Sequence, residues 1–119
     1  MSKYHSRKIT RNGITYDSVQ EYKRHCELLL LEKAGAITEL RRQEQIILIP
    51  HQREPDTIGV RGGRKPGKVI ERAVTYVADF TYKEDGKLVV EDTKGYRTKD
   101  YLLKRKMALY LLGIRIRET

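Results

Sequence analysis

Residues 74–95, VTYVADFTYKEDGKLVVEDTKG, decide the fold. Two apolar runs flank Glu84-Asp85-Gly86-Lys87, and Asp-Gly between such runs is a strong two-residue hairpin signal. With Asp85 and Gly86 as the loop, Glu84 lies opposite Lys87, and counting back along both strands sets Asp79 opposite Asp92. Their Cβ atoms would be about 5 Å apart, and like charges facing each other across a sheet are destabilising. A cation held between the two acids removes that penalty. Lys94 stands two residues past Asp92, so period-two alternation turns it to the same face. A three-residue turn with a glycine bulge would instead bring Glu91 opposite Asp79, so both Asp92 and Glu91 stay open as the second acid.

Acid, acid and lysine on one patch suit magnesium-dependent phosphodiester chemistry. Mg²⁺ prefers carboxylates and water, and usually takes one or two carboxylates from the protein. It can activate a water and neutralise charge on a phosphate, while a lysine orients that water or stabilises developing charge. Asp-x-Lys by itself is a weak motif, and the same residues also read as solvated strand acids beside a surface lysine.

The rest of the chain supports a small basic domain. It has 119 residues, 39% hydrophobic and 34% charged, with a formal net charge of +9 and a pI of about 9.7. That length suits one domain spanning 1–119, and that charge suits a polyanionic partner, nucleic acid above all. The lone cysteine, Cys26, excludes an internal disulfide framework and suits a reducing compartment. No apolar run reaches a membrane-spanning length and no leader pattern opens the chain, so a cytoplasmic protein is expected.

Residues 1–8 read as a polar, basic arm, and 9–16 as a short strand pair around Asn12-Gly13. A helix opens at Ser18, with Glu21 three residues later completing a capping box. Helical spacing turns Val19, Tyr22, Cys26, Leu29 and Leu30 to the core, and Gly35 closes the helix. Glu21 is explained as a cap, yet on the first turn it can also serve as a third site acid. His25 reads as a solvated helix residue. Residues 43–50, QEQIILIP, read as a strand buried on both faces; Gln43 and Gln45 either support a site or merely begin the strand, and the second reading is favoured.

Residues 51–72 change character: glycines and prolines punctuate Arg53, Arg61, Arg64, Lys65, Lys68 and Arg72. This reads as a long basic, glycine-rich loop (51–68 in its irregular part) suited to phosphate contacts. Strands follow at 69–82 and 87–94. Thr98 caps a second helix whose core stripe is Leu103, Met107, Tyr110 and Leu111, with Lys99, Lys104 and Arg105 on a basic side. Gly113 ends it, and 114–118 reads as a last strand with Ile114 and Ile116 inward.

Helix, three strands, helix, strand, with carboxylates on the middle hairpin, resembles the PD-(D/E)xK, or restriction-endonuclease-like, nuclease superfamily. The carrying motifs are Asp17-Ser18-x-x-Glu21, Val77-Ala78-Asp79-Phe80 and Val90-Glu91-Asp92-Thr93-Lys94-Gly95. Within the superfamily the chain is similar to small phage and prophage proteins and, more distantly, to Holliday-junction resolvases. The resemblance covers about 9–118 and implies an α/β fold, a mixed central sheet flanked by two helices in αβββαβ order. It implies Asp79, Asp92 and the Thr93 carbonyl as metal ligands, Lys94 as the water-positioning lysine and Glu21 as the helix acid. Val77-Ala78 departs from the pattern, which has a proline near the first acid. The expected activity is Mg²⁺-dependent DNA endonuclease, with Mn²⁺ able to substitute, acting on branched DNA as a homodimer in a host cytoplasm. Arg61, Arg64, Lys65, Lys68, Lys99, Lys104 and Arg105 are the expected DNA contacts. A module that binds nucleic acid without cutting it, or a phage accessory protein, is the alternative.

Overall fold

The computed structural model describes residues 7–93 and 96–119, which leaves 1–6 of the expected arm outside the described residues. A hairpin opens it, β1 (Ile9–Arg11) and β2 (Ile14–Tyr16), turning at Asn12-Gly13 where both residues have positive φ. Helix α1 (Val19–Lys33) leads to a long strand, β3 (Thr38–Ile49). The chain then runs out and back through β4 (Gln52–Arg53), β5 (Thr57–Ile58), β6 (Arg64–Lys65) and β7 (Val69–Glu71). Strands β8 (Val74–Glu84) and β9 (Lys87–Asp92), helix α2 (Lys99–Leu112) and β10 (Arg117–Glu118) complete it.

The central sheet has the order β10-β9-β8-β3. Strand β10 runs parallel to β9, and the other neighbours are antiparallel, so the sheet is mixed. Apart from the N-terminal hairpin and the outlying strands, the elements follow the expected αβββαβ order. The β8–β9 register pairs Glu84 with Lys87 and Phe80 with Glu91. Asp85 (φ 52°) and Gly86 (φ 76°) are both left-handed, as a two-residue type I′ turn requires. One further step along the ladder sets Asp79 against Asp92, as the two-residue loop predicts.

Two apolar clusters hold the layers. Leu28, Ile37, Phe80 and Tyr82, with Leu40 and Val89, pack beneath α1. Leu48, Tyr76, Ala78, Val90 and Ile116 pack with Tyr101 and Ala108 of α2. Strand β8 gives Tyr76 and Ala78 to one cluster and Phe80 and Tyr82 to the other. It changes the layer it serves at Asp79.

Four expectations about the helices and β3 are corrected. The face of α1 that is buried carries Glu21, His25 and Leu28, whereas Val19, Leu29 and Leu30 are exposed. His25 is not solvated: its Nδ1 meets the Tyr16 hydroxyl at 2.6 Å and its ring stacks on Phe80. Strand β3 is not buried on both faces, because it lies at the sheet edge with Leu48 inward and Ile47 exposed. On α2 the buried residues are Tyr101 and Ala108, with Met107 against the core, while Leu103, Tyr110 and Leu111 are exposed. Ile114 and Ile116 do turn inward.

The expected loop at 51–72 is instead a paired β-ribbon arm. Strands β4 and β7 pair, as do β5 and β6, and neither pair joins the central sheet. The radius of gyration, 18.6 Å, exceeds the ~13.5 Å of a compact chain this long, and the arm contributes to that excess. Among the described residues no helix is long and apolar enough to cross a membrane.

Candidate functional site

Glu21 is fixed from two directions. Ser18 sits in extended backbone as the N-cap of α1, and its Oγ accepts the Glu21 N–H at 3.1 Å. In return Glu21 Oε2 accepts the Asp17 N–H at 3.1 Å. This capping arrangement answers the unpaired N–H groups of the first turn, and the helix dipole favours the negative charge there. The other oxygen, Oε1, accepts from Arg42 Nη2 at 3.2 Å and from Gln43 Nε2 at 3.1 Å. Arg42 in turn lies 4.5 Å over the Tyr16 ring. Glu21 is therefore both a cap and a buried acid pointing inward, 2% exposed.

Gln43 ties that acid to the hairpin. It lies between the Arg42–Phe80 and Glu44–Ala78 pairs of the β3–β8 ladder, facing Asp79. Its φ of 51° is left-handed inside a strand, a conformation that costs energy in a residue other than glycine and that often marks a functional site. Its Nε2 donates to Glu21 Oε1 and also reaches Asp79 Oδ1 at 3.4 Å. The backbone N–H of Thr93 fixes the other Asp79 oxygen at 2.9 Å.

Asp17, Glu21 and Asp79 each bring a carboxylate oxygen within 4.8 Å of the others, the one grouping of this kind among the described residues. Asp17 is exposed and Asp79 half-buried, so the cluster opens to solvent. Burial, the neighbouring Asp92 carboxylate and the charge of Glu21 push the Asp79 carboxyl up to about 8, against the Thr93 N–H. The donors are all carboxylate oxygens with no imidazole or thiolate among them. That set fits a hard divalent cation such as Mg²⁺ or Mn²⁺ and not zinc or copper.

Asp92 completes the site from below. It is fully buried; Oδ1 accepts the Asp79 N–H at 3.1 Å and Oδ2 accepts the Tyr76 hydroxyl. Its contacts hold Asp79 in place, whereas the acid that joins Asp79 and Glu21 at the open face is Asp17. Glu91 points elsewhere. It takes a bidentate pair from Arg24 (2.7 and 2.9 Å) and the Tyr82 hydroxyl at 2.6 Å, which hold its carboxyl below the usual range despite burial. Between the two acids left open by the sequence, only Asp92 faces Asp79. Thr93 contributes its N–H to Asp79, and Lys94 lies outside the described residues.

The sequence assigns no site role to Asp17 beyond the motif it opens, and favours the wrong one of two readings for Gln43. Asp17 adjoins a capping serine and reads as part of the helix start; for Gln43 only the ladder, which sets it against Asp79, decides between supporting a site and beginning a strand. Of the seven cations expected to meet DNA, three are committed to acids: Arg64 to Asp56, Lys104 to Asp100 at 3.3 Å and Arg105 to Glu118 at 3.3 Å. Arg61, Lys65, Lys68 and Lys99 are exposed and have no acidic partner among the described residues.

No curated protein and no solved structure shows a significant match to the chain. A family model described as "Protein of unknown function (DUF1064)" matches residues 1–113, and the chain belongs to that family.

Proposed function

We propose that the protein is a divalent-metal-dependent endonuclease that hydrolyses DNA phosphodiesters. The observation that carries this reading is the convergence of Asp17, Glu21 and Asp79 at an open site, with Gln43 bridging two of them. Three confined acids, one of them with its carboxyl pushed up toward neutrality, make an arrangement that a bound cation stabilises.

A divalent cation there supplies neutralising charge and polarisation of the scissile phosphate. Glu21 and Asp79 would hold it through one oxygen each, and Asp17 through its exposed carboxylate. The Gln43 amide keeps Glu21 and Asp79 at a set spacing, the Thr93 N–H fixes the Asp79 carboxylate, and Asp92 holds the Asp79 backbone. Lys94 would position the attacking water. A branched, junction-like substrate fits a chain of this small size, and cutting both of its strands calls for a two-fold dimer.

The test is cleavage of labelled four-way junction, plain duplex and single strand in Mg²⁺. Asp79→Asn, Glu21→Gln and Lys94→Ala are each expected to lower the rate by about 10²-fold or more. Paired cuts in the junction alone would identify a resolvase, and cutting of every substrate a general nuclease. DNA binding without cutting in Mg²⁺ or Mn²⁺ would overturn the catalytic reading and leave a binding module. A monomeric mass with and without DNA would remove the dimer.

A further inference from the structure

The tip of the arm between β3 and β8 is built around an exposed apolar residue. Gly59-Val60-Arg61-Gly62 forms a β-turn, closed by the Gly62 N–H on the Gly59 carbonyl at 2.9 Å. Gly62 is left-handed (φ 82°), and the Gly59 N–H meets the Gly63 carbonyl at 2.6 Å. Central turn positions usually hold proline, glycine or a small polar residue. Here one holds Val60, 107% exposed, and Ile58 on the adjoining strand is 81% exposed. Both are β-branched and therefore stiff at χ1. Neither packs against the arm or the domain.

The arm holds that tip out by its own bonds. Asp56 pairs with Arg64 and accepts the Gly67 N–H at 3.1 Å. Arg53 Nη1 donates to the Gly67 carbonyl at 3.1 Å, and the Glu54 N–H to the Lys68 carbonyl at 2.8 Å. The backbones approach so closely that a Cβ on Gly67 would lie 1.8 Å from the Glu54 carbonyl oxygen.

Charge decides what the tip meets. Arg61 lies in the turn itself, Lys65 follows on β6, and Lys68 and Arg72 flank β7 on the returning side, all without acidic partners among the described residues. An apolar pocket on another protein would desolvate these cations unpaired. A nucleic acid offers phosphates on either side of an apolar slot between stacked bases. A two-stranded ribbon fits a duplex groove, and apolar side chains driven into a base step unstack it and bend the helix.

We propose that the arm enters a groove of double-stranded nucleic acid, where Val60, backed by Ile58, wedges into a base step while Arg61 and Lys65 grip the flanking phosphates. This rests on the DNA-binding part of the function proposed above and adds a source of selectivity. Steps that unstack readily, such as branch points and pyrimidine–purine steps, yield most easily to the wedge.

The test uses the full-length protein without divalent cation, so that no cutting intervenes. The DNA carries 2-aminopurine, an adenine analogue that brightens when unstacked, at a junction branch point or a TA step. Binding is expected to raise its fluorescence several-fold. Val60→Ser with Ile58→Thr should abolish most of that rise while leaving the salt dependence of binding and the protease resistance of 51–72 unchanged. Arg61→Gln with Lys65→Gln should instead flatten the salt dependence, by about 0.9 in log–log slope per cation removed. Salt-dependent binding with no fluorescence change, or an equal change in the Val60/Ile58 variant, overturns the wedge and leaves the DNA reading standing. In that case a protein surface becomes the tip's partner. Absence of salt-dependent DNA binding overturns both.

Discussion

At Asp79, burial, Asp92 and Glu21 all oppose ionisation, so the folded carboxyl titrates at about 8 against 3.8 in the unfolded chain. The folded state then holds a proton that the unfolded state has released, from about pH 4 to 8. By linkage, stability falls as pH rises through that window and levels off above it. Other groups act at lower pH. His25, its pKa lowered by burial and by Arg42, costs stability only below its ordinary 6.5, and the lowered carboxyls of Glu91 and Glu118 act only in acid. The melting temperature of the metal-free protein should therefore fall from pH 6.5 to pH 8, and Asp79→Asn should flatten that fall. Mg²⁺ should restore more stability at pH 8 than at 6.5, because there it displaces fewer protons. A flat wild-type profile would mean that Asp79 ionises normally and the acids are not confined together. At this scale the sequence was partly legible. Asp85-Gly86 fixes the register that sets Asp79 against Asp92, because turn length and strand pairing are local. The role of Glu91 is not legible, since its partner Arg24 is 67 positions away, nor is the left-handed backbone of Gln43.

Element order was readable from caps and turns; the orientation of the elements was less so. Leu28, Leu29, Leu30 and Leu31 stand in succession on α1 and cover most of a helical turn, so hydrophobicity cannot choose a face. Glu21, Arg24 and His25 choose it, because each finds a polar partner on the sheet side or on β2. The arm escaped notice for a different reason. Its strands are two or three residues long, too short to show a period of two, and side-chain bonds to the backbone replace a core. Gly67 is where that design is most exposed to change. Gly67→Ala sets a Cβ against the Glu54 carbonyl, and overpacking of this kind costs about 1–3 kcal/mol. Since neither arm pair joins the central sheet, the expected loss is local: faster proteolysis and amide exchange across 51–72, with little change in melting temperature. Gly63→Ala, where a Cβ meets nothing within 4 Å, is the matching control and should leave the arm closed. Equal protection in both variants would mean that the Gly67 approach is not tight.

Across the whole molecule, the formal charge of +9 sets an electrostatic field, but only cations free of acids can release counterions from DNA. Of the seven cations expected to meet DNA, Arg61, Lys65, Lys68 and Lys99 meet that condition among the described residues, whereas Arg64, Lys104 and Arg105 are already paired. Each phosphate neutralised contributes about −0.9 to the slope of log K against log salt. Four contacts give a slope of about −3.6, and a dimer engaging both copies would double it. Lys65→Gln with Lys68→Gln should make the slope shallower by about 1.8 per chain. Lys104→Gln with Arg105→Gln should leave it nearly unchanged, because Arg97 still holds Glu118 when Arg105 is lost. Fluorescence anisotropy on plain duplex across a salt series, without divalent cation, measures all three. If the α2 pair carries the salt dependence and the arm pair does not, the DNA lies along α2, and the arm is held out for some other contact. If the arm pair carries it, the path is tied to the strands that bear the acids. The arm leaves from the β3–β8 pair that holds Gln43 and Asp79, and its base at Val74 is five residues from Asp79, about 16 Å along the strand. A duplex gripped by the arm then passes within reach of the acid cluster.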